Sequence, residues 1–257
     1  QARQFYLFIF RTPHTVIWLT LVDHIAVQIT FPIAKQNMRK EKDLKEALKR
    51  CKWAVFDLDS TLIQMETIDE LARRAGKYDQ VAAITKEAME GNAPFSEMLL
   101  KRLRVLKGLD RSVWHDLLDD NVPFTDHAKE LFAILKKLGI KTAIVSGGFT
   151  EMVEHVAAIL GADRCLANQL KYDRDGKSTG NVIGPIVDGE AKREFLLTCS
   201  TEDTLAVGDG ANDIPMLKEA TVGIAFMGKP IVKEHADMCI EEPSFKGLID
   251  LLLESRL

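Results

Sequence analysis

The chain has 257 residues, 46% of them hydrophobic and 28% charged. That is the composition of an ordinary globular protein, with room for one α/β domain carrying an insertion or for two small domains, and it excludes disordered and fibrous classes. A net charge of −4 argues against a nucleic-acid binder. Four cysteines without a CxxC pair exclude a disulfide scaffold and a cysteine-rich zinc site, and suit a reducing compartment.

Residues 1–37 differ from the rest. They hold no Gly, Glu or Met, carry only the charges of Arg3, Arg11, Asp23 and Lys35, and contain six of the 18 aromatic residues. Asp23 splits the uncharged stretch into 12–22 and 24–34, each with a proline, which is too short for a bilayer span of about 18 or more apolar residues. No compact apolar run leads to a small-residue cleavage site, so a secretory signal is not expected. The β-branched and aromatic content suits strands of a small accessory domain. Scarce acidic residues would fit a transit segment, which would make the protein organellar, but serine is lacking. The preferred expectation is that Met38 is the natural start, with 1–37 an extension of unknown role to which no chemistry is assigned.

Beyond this segment, the charged stretch 38–50, with Leu44 and Leu48 four apart, reads as an amphipathic helix. Trp53–Phe56, Thr142–Val145, Thr204–Val207 and Val222–Phe226 are short apolar runs that suit buried strands, and Ala236–Ile240 reads as a fifth. Helical patterns lie between them, at Ala128–Leu138 closed by Gly139 and at Thr150–Leu160 closed by Gly161. Short apolar strands with helical crossovers predict an α/β fold, a parallel sheet covered on both faces. A helical insertion after the first strand is expected from Gln64 to Thr125. Its helices are Ile68–Ala75 before Gly76, Val81–Glu90 before Gly91, one capped by Ser96 and running to Lys107, and one opened by Asp110.

Chemistry gathers where the strands end, which is where open parallel sheets bind ligands. The first strand runs into Asp57-Leu58-Asp59-Ser60-Thr61, two carboxylates that repel each other unless a cation or protons intervene. The second ends at Ser146-Gly147-Gly148-Phe149, a hydroxyl and two glycines read as an anion cradle at a helix start. The third ends at Gly208-Asp209-Gly210-Ala211-Asn212-Asp213. Alone, each motif is as well explained by a turn, and Lys192 by a surface lysine. Together, four acids on one rim beside an anion cradle point to a hard cation such as Mg²⁺ holding a phosphate. His115, His127, His155 and His235 lack ligand spacing and are read as structural or exposed.

In this order, residues 56–61, 146–149, Lys192 and 208–213 resemble the haloacid-dehalogenase (HAD) superfamily of aspartyl-phosphate phosphatases. Glu66-Thr67-Ile68-Asp69-Glu70, Ala88-Met89-Glu90-Gly91, Phe95 and Lys101-Arg102 bring the likeness closer to its phosphoserine phosphatase branch. The resemblance covers about residues 50–245.

The resemblance implies a Rossmann-like core from 38–63 and 126–257, with 64–125 as a helical cap. It implies Mg²⁺-dependent hydrolysis of O-phosphoserine with Asp57 as nucleophile and Asp59 as general acid and base. The metal would be held by Asp57, Asp209 and the main-chain carbonyl of Asp59. Ser146, Gly147 and Lys192 would hold the phosphoryl oxygens, with Asn212 near the phosphate and Asp213 ordering the metal shell or Lys192. Glu66 and Arg102 would take the substrate ammonium and carboxylate, with Met89 and Phe95 as apolar walls. Where the family often has Pro-Gly before the helix leading to the second strand, this chain has Thr125-Asp126-His127.

The alternatives are another small-phosphomonoester phosphatase or phosphotransferase and, less favoured, a non-catalytic module sensing serine or phosphate, which would be expected to lack an acid or the lysine. The expected partner is a small molecule, with no nucleic acid and no membrane; a homodimer stays open, and the expected compartment is the cytoplasm.

Overall fold

The computed structural model describes residues 6–12, 15–22, 25–32, 41–90, 94–119 and 122–257. Met38 and Gly91, and the side chain of Met89, lie outside what it describes.

Three strands come first: β1 (Tyr6–Thr12), β2 (Thr15–Val22) and β3 (Ile25–Pro32). Helix α1 (Glu41–Arg50) leads to β4 (Trp53–Phe56), and α2 (Thr67–Arg74), α3 (Tyr78–Glu90), α4 (Phe95–Val105) and α5 (Val113–Asp119) form the insertion. Then follow α6 (Ala128–Lys137), β5 (Lys141–Phe149), α7 (Thr150–Leu160), β6 (Arg164–Tyr172) and β7 (Ser178–Ile183). The chain ends through α8 (Gly189–Cys199), β8 (Thr204–Gly208), α9 (Ile214–Glu219), β9 (Val222–Phe226), α10 (Pro230–Lys233), β10 (Met238–Ile240) and α11 (Lys246–Glu254).

The strands form one sheet in the order β1-β2-β3-β10-β9-β8-β4-β5-β6-β7. From β10 to β6 all neighbours are parallel, as buried apolar runs joined by helical crossovers require. At one edge β1–β3 form an antiparallel meander, joined to the parallel strands by β3 opposite β10, Ile29 facing Ile240 and Thr30 facing Cys239. Strand content in residues 1–37 is thus present.

Alternation along β4 shows why both sheet faces are covered. Ala54 and Phe56 enter one buried cluster, where Phe56 lies 5.1 Å from Phe132 and Phe226 stacks on Phe245 at 4.5 Å. Val55 enters the other, with Val145, Phe195 and Leu196. Each such side chain contributes roughly 1.5–3 kcal/mol on leaving water. Among the described residues no helix is long and apolar enough to cross a membrane.

The second predicted strand ends, as expected, at Ser146-Gly147-Gly148-Phe149, with a register shift between Val145 and Phe149, and α7 starts directly after it at Thr150. Other sequence expectations need correction. Ser96 does not cap α4; Pro94 occupies that place and no side chain caps it. The fifth strand starts at Met238, not Ala236. Strands β6 and β7 were not anticipated, because Arg164–Tyr172 is only partly buried and offers no continuous apolar run. The hairpin they form is stitched to the insertion: Gly108 N–H donates to Ser178 O (2.8 Å), Ser178 N–H to Leu109 O (2.8 Å), and Trp114 Nε1 to Tyr172 Oη (2.7 Å).

Candidate active site

The carboxyl ends of β4, β5 and β8 converge, because the three strands lie side by side and parallel. Asp57 follows β4 and is buried, its N–H donating to Val207 O across to β8 (2.9 Å). Lys192, on the first turn of α8, has no exposed surface. Its Nζ lies 2.7 Å from Asp57 Oδ1 and 2.6 Å from Asp213 Oδ1. Asp213 Oδ2 accepts from Gly210 N–H at 2.9 Å, so both its oxygens are engaged.

Carboxylate oxygens of Asp57, Asp209 and Asp213 all lie within 4.8 Å of one another. One lysine cannot neutralise three acids, and the electrostatics follow. Burial and the charges of Asp213 and Asp209 push Asp57 well above the usual carboxylate range, against the pull of Lys192. Burial, then the Asp213 and Glu66 charges, raise Asp209 to about 7. Burial alone would lower Lys192, but the Asp213 and Asp57 carboxylates win and hold it above its ordinary value. An all-oxygen cluster left short of positive charge fits a hard divalent cation.

The glycines of the second motif are there for closeness. A Cβ on Gly148 would stand 2.9 Å from Asp59 Oδ2 and 3.0 Å from Ser146 Oγ. One on Gly147 would stand 2.5 Å from Phe95 Cζ, so the insertion's α4 rests its aromatic ring directly on this loop.

This strand order and acid cluster can be set beside known proteins. A family model described as haloacid dehalogenase-like hydrolase matches residues 51–221, and a second of the same description matches 192–252. The chain belongs to this family. A phosphoserine phosphatase of Idiomarina loihiensis is 44% identical over 209 residues, 79% of this chain and 94% of that protein. One of Methanocaldococcus jannaschii is 44% identical over 207 residues, 78% of this chain and 97% of its own length. A solved structure described as a phospho-aspartyl intermediate analogue of phosphoserine phosphatase aligns with TM-score 0.72 at 44% identity, covering 78% of this chain and 98% of the other.

In this HAD-like hydrolase the remaining sequence candidates divide into two groups. Asp59 sits at the start of α2: its Oδ1 accepts from Thr67 Oγ1 at 2.5 Å. Burial and the nearby Glu66 charge raise its carboxyl to about 7, against the hydrogen bonds from Thr67. Ser146 is buried, its Oγ accepting from Gly148 N–H (2.8 Å), and Asn212 lies in the 3-10 turn Ala211–Asp213, its Oδ1 where a Cβ on Gly210 would collide with it.

Glu66 and Arg102 form the outer group. Glu66 is exposed and accepts from Ser60 Oγ at 2.7 Å, while half-buried Arg102 donates to Met98 O at 3.3 Å. Burial lowers the Arg102 guanidinium, opposed by the charges of Glu66, Asp69 and Asp59, which places it on the acidic side of the site.

Asp213, expected to order the metal shell or Lys192, does hold Lys192 and also belongs to the carboxylate cluster of Asp57 and Asp209. Sequence reasoning passed over two contributors. Thr61 Oγ1 reaches Asp209 Oδ1 at 3.4 Å. Asn168, buried on β6, donates to Gly147 O (2.9 Å) and accepts from Val187 N–H (2.8 Å), so it fixes the glycine motif to the approach of α8. Neither role had a signal in the spacing of the sequence.

Proposed function

We propose that the chain hydrolyses O-phospho-L-serine to L-serine and phosphate, with Mg²⁺ as its metal. The observation that carries this reading is the buried Asp57–Lys192–Asp213 arrangement, with Asp209 beside it, at the ends of β4 and β8. The near full-length likeness to phosphoserine phosphatases supports the choice of ester.

Asp57 and Asp209, with the main-chain carbonyl of Asp59, would hold the cation, and Asp213 adds a fourth group to their surroundings. When bound, Mg²⁺ supplies the positive charge that lets a carboxylate approach a phosphate dianion. An oxygen of Asp57 attacks phosphorus as the bond from phosphorus to the serine oxygen breaks, and Asp59 gives that oxygen its proton. Asp59 then takes a proton from the water that attacks the aspartyl-phosphate. The bond from phosphorus to Asp57 breaks and phosphate leaves. Ser146, the Gly147 N–H, Lys192 and Asn212 hold the non-bridging oxygens, already in place before charge develops.

Glu66 binds the substrate ammonium and Arg102 its carboxylate, a planar pair that suits a guanidinium fork. Phe95 walls the pocket, and Met89 is assigned the same role from the family likeness alone. The catalytic body is 38–63 with 126–257, and 64–125 is its cap. Cys51, Cys165 and Cys199 are thiols rather than halves of a disulfide, which suits the cytoplasmic location proposed here.

The test is a panel of phosphoserine, phosphoethanolamine and phosphoglycolate, each with and without Mg²⁺. Phosphoserine should be turned over fastest and only with the cation. A preference for another ester moves the protein to a different branch of the family, and turnover independent of divalent cation contradicts the metal assignment.

A further inference from the structure

Asp59 has two oxygens with different surroundings. Oδ1 accepts the Thr67 hydroxyl at 2.5 Å. Oδ2 faces the other way, so close to Gly148 that an added Cβ there would stand 2.9 Å from it. Thr67 is the first residue of α2, has no exposed surface, and belongs to the insertion rather than to the segment after β4 that carries Asp59.

We propose that Thr67 is a positioning residue for proton transfer: by tying Asp59 Oδ1 to α2, its hydroxyl leaves Oδ2 as the oxygen that delivers a proton to the leaving group. The inference rests on the general-acid reading of Asp59 given above. Without the hydroxyl, the carboxyl can turn about its last side-chain bond, a broad twofold torsion, and present either oxygen or neither. The helix that starts at Thr67 belongs to the proposed cap, so the seating of the cap and the aim of the acid are set by one contact.

The experiment compares two substrates. Serine leaves phosphoserine as an alkoxide that needs a proton, whereas acetyl phosphate releases acetate, which needs none. In both cases kcat/KM covers steps only up to loss of the leaving group, so the later hydrolysis of the aspartyl-phosphate does not enter.

Thr67→Val keeps the shape and the main-chain N–H and removes the hydroxyl. It should lower kcat/KM for phosphoserine by roughly 10- to 100-fold and for acetyl phosphate by less than about threefold, part of the 10²–10⁴ that general acid catalysis supplies. Thr67→Ser should restore phosphoserine turnover to within about threefold of the original. Thr67→Ala carries the same expectation and serves if the valine does not fit, folding being followed by thermal melts.

Equal losses on both substrates, or no rescue by serine, would reduce Thr67 to a structural residue and overturn the proposal. Asp59→Asn is the control and should show the same leaving-group bias more strongly. If it shows none, the general-acid reading falls and this inference with it. If it does and Thr67→Val does not, the inference alone fails.

Discussion

Lys192 Nζ stands 2.7 Å from Asp57 Oδ1 although the two residues are 135 positions apart, and the lysine has no surface open to solvent. A cation in that place holds the nucleophile and, through Asp213, the neighbouring acid at once. Removing it leaves buried acids uncompensated. Lys192→Met should abolish phosphoserine turnover and cost about 3–5 kcal/mol of stability near neutral pH, the usual penalty for breaking a buried pair from one side. Urea unfolding checks this, and the loss should shrink at pH 5, where the acids can take up protons instead.

The raised carboxyls make the response to divalent cation depend on pH. Asp59 and Asp209 lie near 7 in the folded protein, through burial first and neighbouring charge second. Unfolded, they titrate near 4. Between those values the folded state binds more protons, so without cation its stability falls as pH rises from about 4 to about 7. Cation and proton compete for the carboxylate oxygens of Asp57 and Asp209, both raised. Added Mg²⁺ should raise the melting temperature little at pH 5 and much more at pH 8, with apparent affinity rising up to about tenfold per pH unit for each proton displaced. A thermal shift that is the same at both values contradicts this.

Specificity should divide between two charges. Arg102→Ala should raise KM for phosphoserine roughly 10- to 100-fold, the loss of a charged hydrogen-bonded contact of about 1.5–3 kcal/mol. Phosphoethanolamine has no carboxylate for Arg102 to hold, so its KM should change little. Steady-state kinetics on the two esters side by side decides it.

His127 offers a test away from the chemistry. It stands at φ +64, in the left-handed region, before α6, and its ring Nδ1 lies 2.9 Å from Ser244 Oγ in an exposed contact. A side chain with a Cβ costs about 1–2 kcal/mol there, and glycine does not. After the lost contact and the freer unfolded chain are counted, His127→Gly should gain roughly 0.5–1 kcal/mol in chemical unfolding. Turnover should be unchanged.

How much of this was legible beforehand depends on the kind of residue. β4, β8 and β9 could be read because they are apolar runs with both faces buried. The three motifs could be read because acids and glycines at strand ends have few other uses. β6 and β7 could not: they are half-exposed and partner the insertion, so no local pattern marks them. The same holds for Thr67 and Asn168, whose roles come from a contact across the fold and not from spacing. The turn at Thr125-Asp126-His127 shows the limit from the other side. The Pro-Gly common in the family is missing, yet the backbone adopts the left-handed turn anyway, held by Phe245 N–H donating to Asp126 O at 2.9 Å.

The central claim is that Asp57 carries the phosphoryl group. The most direct measurement is to quench the enzyme with acid during turnover of ³²P-labelled phosphoserine in the presence of Mg²⁺ and map the label by peptide. Label on the peptide holding Asp57, labile to hydroxylamine and absent from Asp57→Asn, is the result expected. Full turnover with no acid-stable label, or substantial activity in Asp57→Asn, would contradict it.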